Sequence, residues 1–277
     1  MLRGILVGLD GSPFSDGAVS LGLKWAKATG AVLAGEVVID RPGLSSPETV
    51  PTGSGLYRMF PDDKKIAEAR AKAERHSAAF LERCTAAGVV CKQVMEVGDP
   101  AGAIATQAQR YDVVLLGLET YFRSMPGDGP CDTLDKVLHS PPRPVVAVPA
   151  ALADGNTAVI GYDGSLQAAR TLAAYVATGL AAGYDNVVVT INEDYDEAAR
   201  TTEAAVDYLG LHGVTVKARP VETRLDPAAV LLDHAGQFNA GLVVMGAFGH
   251  SALREFFFGS TTRGVLRGSK VPVMLYH

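Results

Sequence analysis

The stretch GILVGLDGSPFSDGAV, residues 4–19, returns later in the chain as AVIGYDGSLQAARTL, residues 158–172. Both are apolar runs that end in Asp-Gly-Ser, with Asp10 in the first and Asp163 in the second, and both continue into helix-forming residues. A buried strand that turns directly into a helix is the opening unit of an alternating α/β fold. The sequence therefore predicts two copies of this unit.

Three more pairs of segments recur in the same order, at spacings of 127 to 129 residues. They are VVLLG (113–117) with LVVMG (242–246), RPVVAVP (143–149) with KVPVMLYH (270–277), and Asp99-Pro100 with Asp226-Pro227. Repeated matches in one order indicate an internal duplication. Because Asp10 and Asp163 are 153 residues apart, the first half carries about 26 extra residues. Its Pro-, Gly- and Ser-rich segment 41–61 predicts a loop there, which is either a plain exposed connection or a lid or partner-binding segment.

Each half alternates short, continuously apolar segments with Ala-rich amphipathic ones. In the second half the predicted strands are 157–162, 186–191, 214–219, 241–246 and 271–276, and the predicted helices are 165–181, 194–212, 226–238 and 259–268. Continuous apolar runs are typical of strands that are buried on both faces. The alternation therefore predicts two tandem doubly wound α/β domains, each a parallel sheet with right-handed crossovers and helices on both faces. The polar linker ADGNT (153–157) places these domains at about 1–150 and 155–277.

Composition restricts the class of protein. Of the 277 residues 48% are hydrophobic and 20% are charged, which is enough for a sizeable core. The net charge of −5 and the lack of a Lys/Arg block argue against a nucleic-acid or anionic-membrane partner. No apolar run approaches the roughly 18 residues of a membrane span, and the N-terminus has no signal-peptide cleavage site, so we expect a cytoplasmic protein. Cys84, Cys91 and Cys131 have no metal-ligand spacing and suit reduced thiols.

A glycine-rich segment, GAFGHSALREFFFGST (246–261), follows the fourth predicted strand of the second half. Each glycine costs roughly 0.5–1 kcal/mol relative to alanine in a regular element, so this cluster requires another explanation. Gly246 and Gly249 would let the backbone turn sharply and approach a ligand. Gly259, Ser260 and Thr261 would then open a helix whose unpaired N–H groups and positive dipole end favour an anion such as phosphate.

The position of Asp163 agrees with this interpretation. In open parallel sheets, ligands bind beyond the carboxyl ends of the strands, where the strand order reverses. Asp163 and Gly246 stand at two such ends and would face one crevice if their strands are neighbours. An acidic residue there is suited to a ribose hydroxyl.

At these residues the chain resembles the ATP-binding branch of the universal stress protein family. That family's signature is Gly, two residues, Gly, nine residues, Gly, then Ser or Thr, and Gly246, Gly249, Gly259 and Ser260 match it. The two Asp-Gly-Ser turns and the final PVMLY strand also match, so the resemblance covers nearly the whole chain. It implies a tandem member of the family.

The resemblance also implies how the molecule is built and what it binds. Each half would have five strands in the order 3-2-1-4-5, and the final strands of the two halves, 143–149 and 271–276, would pair as a pseudo-twofold dimer within one chain. ATP or ADP would bind without a covalent step. Asp163 would serve the ribose or adenosine side, and backbone near Ile191 would contact adenine. The phosphates would be held by Gly246, Gly249, Gly259, Ser260 and Thr261. A further homodimer remains open.

Three side-chain roles at the predicted site stay open as well. His250 would contact phosphate or act as an acid or base, or else it is a hydrogen-bonding or packing residue. Asp163 would help to hold Mg²⁺ through water, but the sequence fixes no second acidic residue, so a metal is optional. Phe256 to Phe258 would close the site by packing or present a surface to a partner.

The first half departs from the family's signature. Gly117 is present, but Thr120 stands at the second glycine position and Pro130, followed by Cys131, at the third. Proline has no N–H to give to a phosphate, and Glu119 would add negative charge beside it. We expect Asp10 and Gly117 to mark a vestigial site that does not bind ATP tightly.

Three functions are compatible with these residues. The first is a non-catalytic regulator in stress response, whose ATP or ADP state alters contacts with an unknown protein partner. The second is a slow ATPase or a nucleotidyl or phosphoryl transferase. The third is a stress-associated scaffold that binds another small ligand.

Overall fold

The computed structural model describes residues 1–40, 63–122, 130–139, 141–247 and 259–277. The predicted loop 41–61, Gly249, His250 and Phe256 to Phe258 lie outside the described residues.

Strands and helices alternate along both halves. The first half contains β1 (Gly4–Gly8), α1 (Pro13–Thr29), β2 (Val32–Asp40), α2 (Asp63–Ala87), β3 (Cys91–Gly98), α3 (Pro100–Ala108), β4 (Val113–Gly117), α4 (Thr133–His139) and β5 (Val145–Val148). The second half contains β6 (Thr157–Gly161), α5 (Leu166–Thr178), β7 (Asp185–Asn192), α6 (Tyr195–Leu211), β8 (Val216–Glu222), α7 (Pro227–Gln237), β9 (Ala240–Gly246), α8 (Ser260–Gly268) and β10 (Val273–Tyr276). A short 3₁₀ helix, Leu180–Gly183, connects α5 to β7.

The ten strands form one sheet in the order β3-β2-β1-β4-β5-β10-β9-β6-β7-β8. Read from the outer edge to the centre, each half has the order 3-2-1-4-5, which confirms the α/β doubly wound fold. Within each half the strands pair parallel, and β5 and β10 pair antiparallel with Val146 opposite Met274. The last strand of each half therefore has a partner on both sides, and the sheet edges lie at β3 and β8.

Two predicted element ends differ by three residues from those in the structure. The helix predicted to reach residue 181 ends at Thr178, because Gly179 adopts a left-handed φ of 76° and its N–H bonds to the Val176 carbonyl. The strand predicted to end at residue 219 continues through Pro220 to Glu222. Proline is tolerated there because β8 is an edge strand, in which one side of the backbone needs no partner.

The two faces of the sheet carry two cores, and each core runs through both halves. One contains Leu2, Trp25, Phe80, Tyr175 and Met274, and the other contains Leu6, Ile104, Leu116, Val189 and Val243. The indole N–H of Trp25, the single tryptophan, donates to the Tyr184 hydroxyl of the other half at 3.1 Å. Shared cores and a shared sheet bind the halves into one unit.

Candidate functional site

A cleft of about 360 Å³ opens at the carboxyl ends of β6, β7 and β9, beside the first turns of α7 and α8. This volume lies within the range of small-molecule sites. The described residues that line it are Gly161, Tyr162, Asp163, Ser165, Val189, Ile191, Pro227, Leu231, Met245, Gly246, Gly259, Ser260, Thr261 and Thr262. Six of the eight residues expected at the site therefore share one cleft, and the other two, Gly249 and His250, lie outside the described residues.

Asp163 stands at the end of β6 in a tight side-chain turn. Its Oδ1 accepts the Ser165 N–H at 3.0 Å, and the Ser165 hydroxyl caps α5 by accepting the Ala168 N–H at 3.1 Å. The Asp163 side chain is exposed. The Asp-Gly-Ser sequence thus orients a carboxylate at the mouth of the cleft and starts the next helix.

The inner wall of the cleft is apolar. Val189 and Ile191, two residues apart on β7, lie on the same face as each other and line the cleft with Leu231 of α7. Val189 is 1% exposed and Ile191 is half-buried. This wall can pack against a flat aromatic group, and Ile191 lies at its outer end.

Gly246 has a packing role that the sequence did not indicate. A Cβ on Gly246 would lie 2.6 Å from the Ala168 nitrogen and 2.8 Å from the Gln167 carbonyl carbon. The first turn of α5 therefore packs directly on the backbone of β9. Gly246 lines the cleft, but its missing side chain makes room for a helix.

The N-terminus of α8 lacks the side-chain cap with which five other helices begin. Ser12, Asp99, Ser165, Asp194 and Asp226 each cap a helix by accepting a backbone N–H. Gly259 precedes α8 and supplies no side-chain cap. Within the described part of the chain, the N–H groups of the first turn of α8 therefore receive no bond from an N-cap side chain, and Ser260 and Thr261 of that turn line the cleft.

Few of the described residues that line the cleft carry a charge. Burial, and then the charge of Asp163, raises the pKa of the Tyr162 phenol above its ordinary value, so Tyr162 is neutral at pH 7. The described residues contain no group of three or more His, Cys, Asp or Glu side chains that could hold a metal ion.

The model of the universal stress protein family matches this chain twice, over residues 1–149 and 156–277. The chain belongs to the universal stress protein family. The resemblance seen in the sequence is thereby confirmed, including its tandem form. The exact limits of the two domains, 1–150 and 155–277, stay a prediction.

Related proteins agree with this assignment. A universal stress protein from Synechocystis is 24% identical over 296 residues, which cover 99% of this chain and all of the relative. A universal stress protein structure from Archaeoglobus fulgidus superposes with a TM-score of 0.74 at 21% identity, covering 99% of this chain and 97% of that one. A protein of unknown function from Pseudomonas aeruginosa superposes with a TM-score of 0.59 at 16% identity, covering 99% and 92%. These likenesses show the fold.

No helix in the described part of this family member is both long and apolar enough to cross a membrane.

The first half of this tandem stress protein fills the corresponding place with its own chain. The Asp10 carboxylate accepts the Ser12 N–H at 2.8 Å and the Tyr121 N–H at 2.6 Å. Thr120 and Cys131 form an isolated antiparallel bridge, and the Thr120 hydroxyl donates to the Cys131 carbonyl at 2.9 Å. The residue at the second signature position therefore bonds to the residue that follows the third, across the site.

Phe122 and Glu36 also distinguish the first half from the cleft of the second half, and the sequence analysis predicted a role for neither. Phe122 is 5% exposed, and its ring edge would lie 3.0 Å from a Cβ on Gly8, the counterpart of Gly161. Glu36 pairs with Gly8 in the sheet as Val189 pairs with Gly161, so a carboxyl stands where the second half has an apolar wall. A lone glutamate inside the apolar run 32–40 was the signal that could have found it.

Proposed function

We propose that the second half binds ATP or ADP in the cleft described above, and that the protein acts as a non-catalytic, nucleotide-dependent regulator in stress response. The observation that carries this proposal is the uncapped N-terminus of α8 opening into a cleft with an apolar inner wall. The two parts of the cleft suit the two chemically different ends of a nucleotide.

The phosphate end would lie against α8. The first-turn N–H groups and the dipole of a helix of nine residues favour an anion, and the Ser260 and Thr261 hydroxyls can donate to it. Gly259, with a φ of −54°, has no side chain to cap the helix or to block the approach. Hydrogen bonds to a charged group contribute about 1.5–3 kcal/mol each, which is enough to direct phosphate here.

The nucleoside end would lie against the inner wall. Adenine would pack on Val189, Ile191 and Leu231, and the exposed Asp163 carboxylate would accept hydrogen bonds from ribose hydroxyls. The volume of about 360 Å³ matches a site of nucleotide size at the lower end of the usual range. The residues present therefore fit the ligand that the family motif implies.

A regulatory role is favoured over catalysis by the chemistry of the described lining. Within it, the groups with oxygen nucleophiles, Ser165, Ser260, Thr261 and Thr262, have no histidine or lysine among their lining neighbours to act as a base. In this proposal the bound nucleotide alters contacts with a protein partner in the cytoplasm. Slow ATP hydrolysis is the second candidate function, with His250 as its acid or base.

The test is the nucleotide content of protein that is purified without added ligand and then denatured. We expect about one ATP or ADP per chain. Gly259→Pro copies Pro130 of the first half, and proline fits the backbone at a φ of −54°, so the variant should fold and lose the nucleotide. Thr261→Val is a milder variant that keeps side-chain shape and should weaken ATP binding roughly tenfold or more.

Each result separates two functions. Two nucleotides per chain would disprove the vestigial first site. No nucleotide, and no binding when ATP is added to the stripped protein, would favour the scaffold or another ligand. Phosphate release above the spontaneous rate, lost in His250→Ala, would favour the slow ATPase.

A further inference from the structure

Two cysteines of the first half face each other across the seam between α2 and β3. Cys84 lies in the last turn of α2 and is 0% exposed, and Cys91 is the first residue of β3 and is half-buried. Cys91 packs against the core cluster to which Cys84 belongs. Both are free thiols.

The geometry of the seam explains why they meet. Ser77 and Cys84 are seven residues apart on α2, which places them on one helix face, and both are buried. Cys91 and Gln93 are two residues apart on β3, which places them on one strand face. The Gln93 amide donates to the Ser77 carbonyl at 2.8 Å, so the next pair along this seam is Cys84 with Cys91.

The turn between them holds this arrangement. Gly88 has a left-handed φ of 66°, its N–H bonds to the Thr85 carbonyl, and the Val89 N–H bonds back to the Cys84 carbonyl at 3.0 Å. The chain therefore reverses within a few residues and enters β3 directly. Neither cysteine depends on a long connection for its position.

The two thiols differ in burial, and this difference indicates which thiol meets a reagent first. Burial, and then the charge and hydrogen bonding of Cys91, raises the pKa of the Cys84 thiol to about 12, so Cys84 keeps its proton at neutral pH. Cys91 is the partner that a small molecule can reach, because it is half-buried whereas Cys84 is fully buried.

We propose that Cys84 and Cys91 form a reversible oxidation site for hydroperoxides, in which Cys91 reacts first and Cys84 resolves it. The Cys91 sulfur attacks the peroxide O–O bond and becomes a sulfenic acid, and the peroxide leaves as an alcohol or water. The Cys84 sulfur then attacks the Cys91 sulfur, and the hydroxyl leaves with the Cys84 proton as water. Two electrons pass from the thiols to the peroxide, and the disulfide is restored to thiols by a dithiol reductant.

The structure favours this reaction over oxidation of either thiol alone. A sulfenic acid condenses with a thiol when one is held beside it, and effective molarities in such pairs are high. Disulfide formation brings the two sulfurs to about 2.05 Å. This site lies on the opposite face of the sheet from the residues of the core that contains Val189, so the proposal does not depend on nucleotide binding.

Trypsin gives a direct readout of the pair. Cleavage after Arg83 and Lys92 releases CTAAGVVCK (84–92), which contains both cysteines, whereas Cys131 lies in another peptide. The folded full-length protein is treated with a small excess of hydrogen peroxide, its free thiols are alkylated, and it is digested. We expect this peptide to lose two hydrogens and to carry no alkyl group, and to regain two alkylated thiols after dithiothreitol.

Two controls make the result decisive. In Cys84→Ser, a dimedone adduct should accumulate on Cys91, because the resolving thiol is gone, and the wild type should show little adduct. Unfolding in urea should slow disulfide formation at least tenfold if the fold holds the thiols together. The proposal is overturned if the folded protein keeps both thiols, if oxidation is no faster folded than unfolded, or if dimedone labels Cys131 instead of Cys91.

Discussion

The Asp10 carboxylate accepts the Tyr121 backbone N–H at 2.6 Å, and this bond ties the end of β1 to the loop that follows β4. The equivalent Asp163 bonds to the Ser165 N–H and is otherwise exposed toward the cleft. One carboxylate therefore holds a distant segment of the protein's own backbone, whereas its duplicate, among the described residues, bonds to the start of the next helix. The two halves share a sequence motif but use it differently.

Replacing Asp10 by asparagine should destabilise the protein. Asp10 is 7% exposed and accepts two backbone N–H groups, and an amide would turn a donor toward one of them. We expect a loss of about 1–3 kcal/mol in the free energy of unfolding. Asp163→Asn is the matched control and should change stability by less than about 1 kcal/mol because that side chain is exposed. Urea denaturation measures both, and equal losses would contradict this account.

Gly246→Ala should destabilise through backbone contact with α5. The new Cβ would meet main-chain atoms of Gln167 and Ala168 at 2.6–2.8 Å, and main chain cannot rotate away as a side chain can. A loss of about 1–3 kcal/mol is expected in thermal unfolding. Gly210→Ala in α6 is the control, since its Cβ meets nothing within 4 Å, and it should be neutral or stabilise by up to about 1 kcal/mol.

Glu36 should make stability depend on pH. It is 0% exposed, and neither carboxyl oxygen has a hydrogen-bond partner among the described residues. Burial, followed by the charge of Glu96, raises its pKa from 4.5 to about 8. The folded state holds the proton more tightly than the unfolded state. This contribution to stability is therefore fully present below about pH 4.5 and is lost as the pH rises through about 8. Its upper limit is about 5 kcal/mol.

Glu36→Gln checks this linkage because glutamine keeps the shape of the protonated acid. Between pH 5 and pH 9 the wild type should lose stability relative to the variant, with the difference largest at the alkaline end. Glu82→Gln, at an exposed position of α2, should follow the wild type. Parallel stability curves for the wild type and Glu36→Gln would show that Glu36 is not buried as a neutral acid.

Much of the fold could be predicted because duplication repeats each signal. Two Asp-Gly-Ser turns, two fourth strands that end in Gly117 and Gly246, and two final strands are enough to order the elements along the chain. The errors concern the ends of single elements, as at Pro220, where the strand continues because β8 lies at the sheet edge. Edge position is a property of the assembled sheet and is not written in the sequence of the strand.

The site was predictable where a residue type carries its own physics. A glycine-serine-threonine helix start and an acid at a strand end are recognisable in a sequence, so Asp163, Gly259 and Ser260 were predicted to lie at one cleft, which they line; their binding roles stay a prediction. Phe122 was not found, because its importance comes from packing over Gly8, and a single phenylalanine after a strand has no distinctive pattern. Gly246 was found for a partly different reason from the one that the structure shows, since glycine permits helix packing as well as ligand approach.

Substitutions at Glu36 and Val189 test whether this one position in the sheet decides which half binds ATP. Val189→Glu places on the inner wall of the cleft the carboxyl that the first half carries at the same point of the sheet. The first half shows that this fold accepts a glutamate here, so we expect the variant to fold. Burying a polar group where adenine would pack should weaken ATP binding by about 10- to 100-fold, corresponding to the roughly 1–3 kcal/mol of an unpaired polar group.

The reciprocal change, Glu36→Val, should leave ATP binding unchanged and should not create a second site. Phe122 and the Thr120–Cys131 bridge still fill the first half after that substitution, and Asp10 still holds the Tyr121 N–H. Isothermal titration of the stripped protein with ATP gives both the affinity and the number of sites. A second binding event in Glu36→Val would mean that the glutamate alone closes the first half. Unchanged affinity in Val189→Glu would mean that the nucleotide does not pack on this wall.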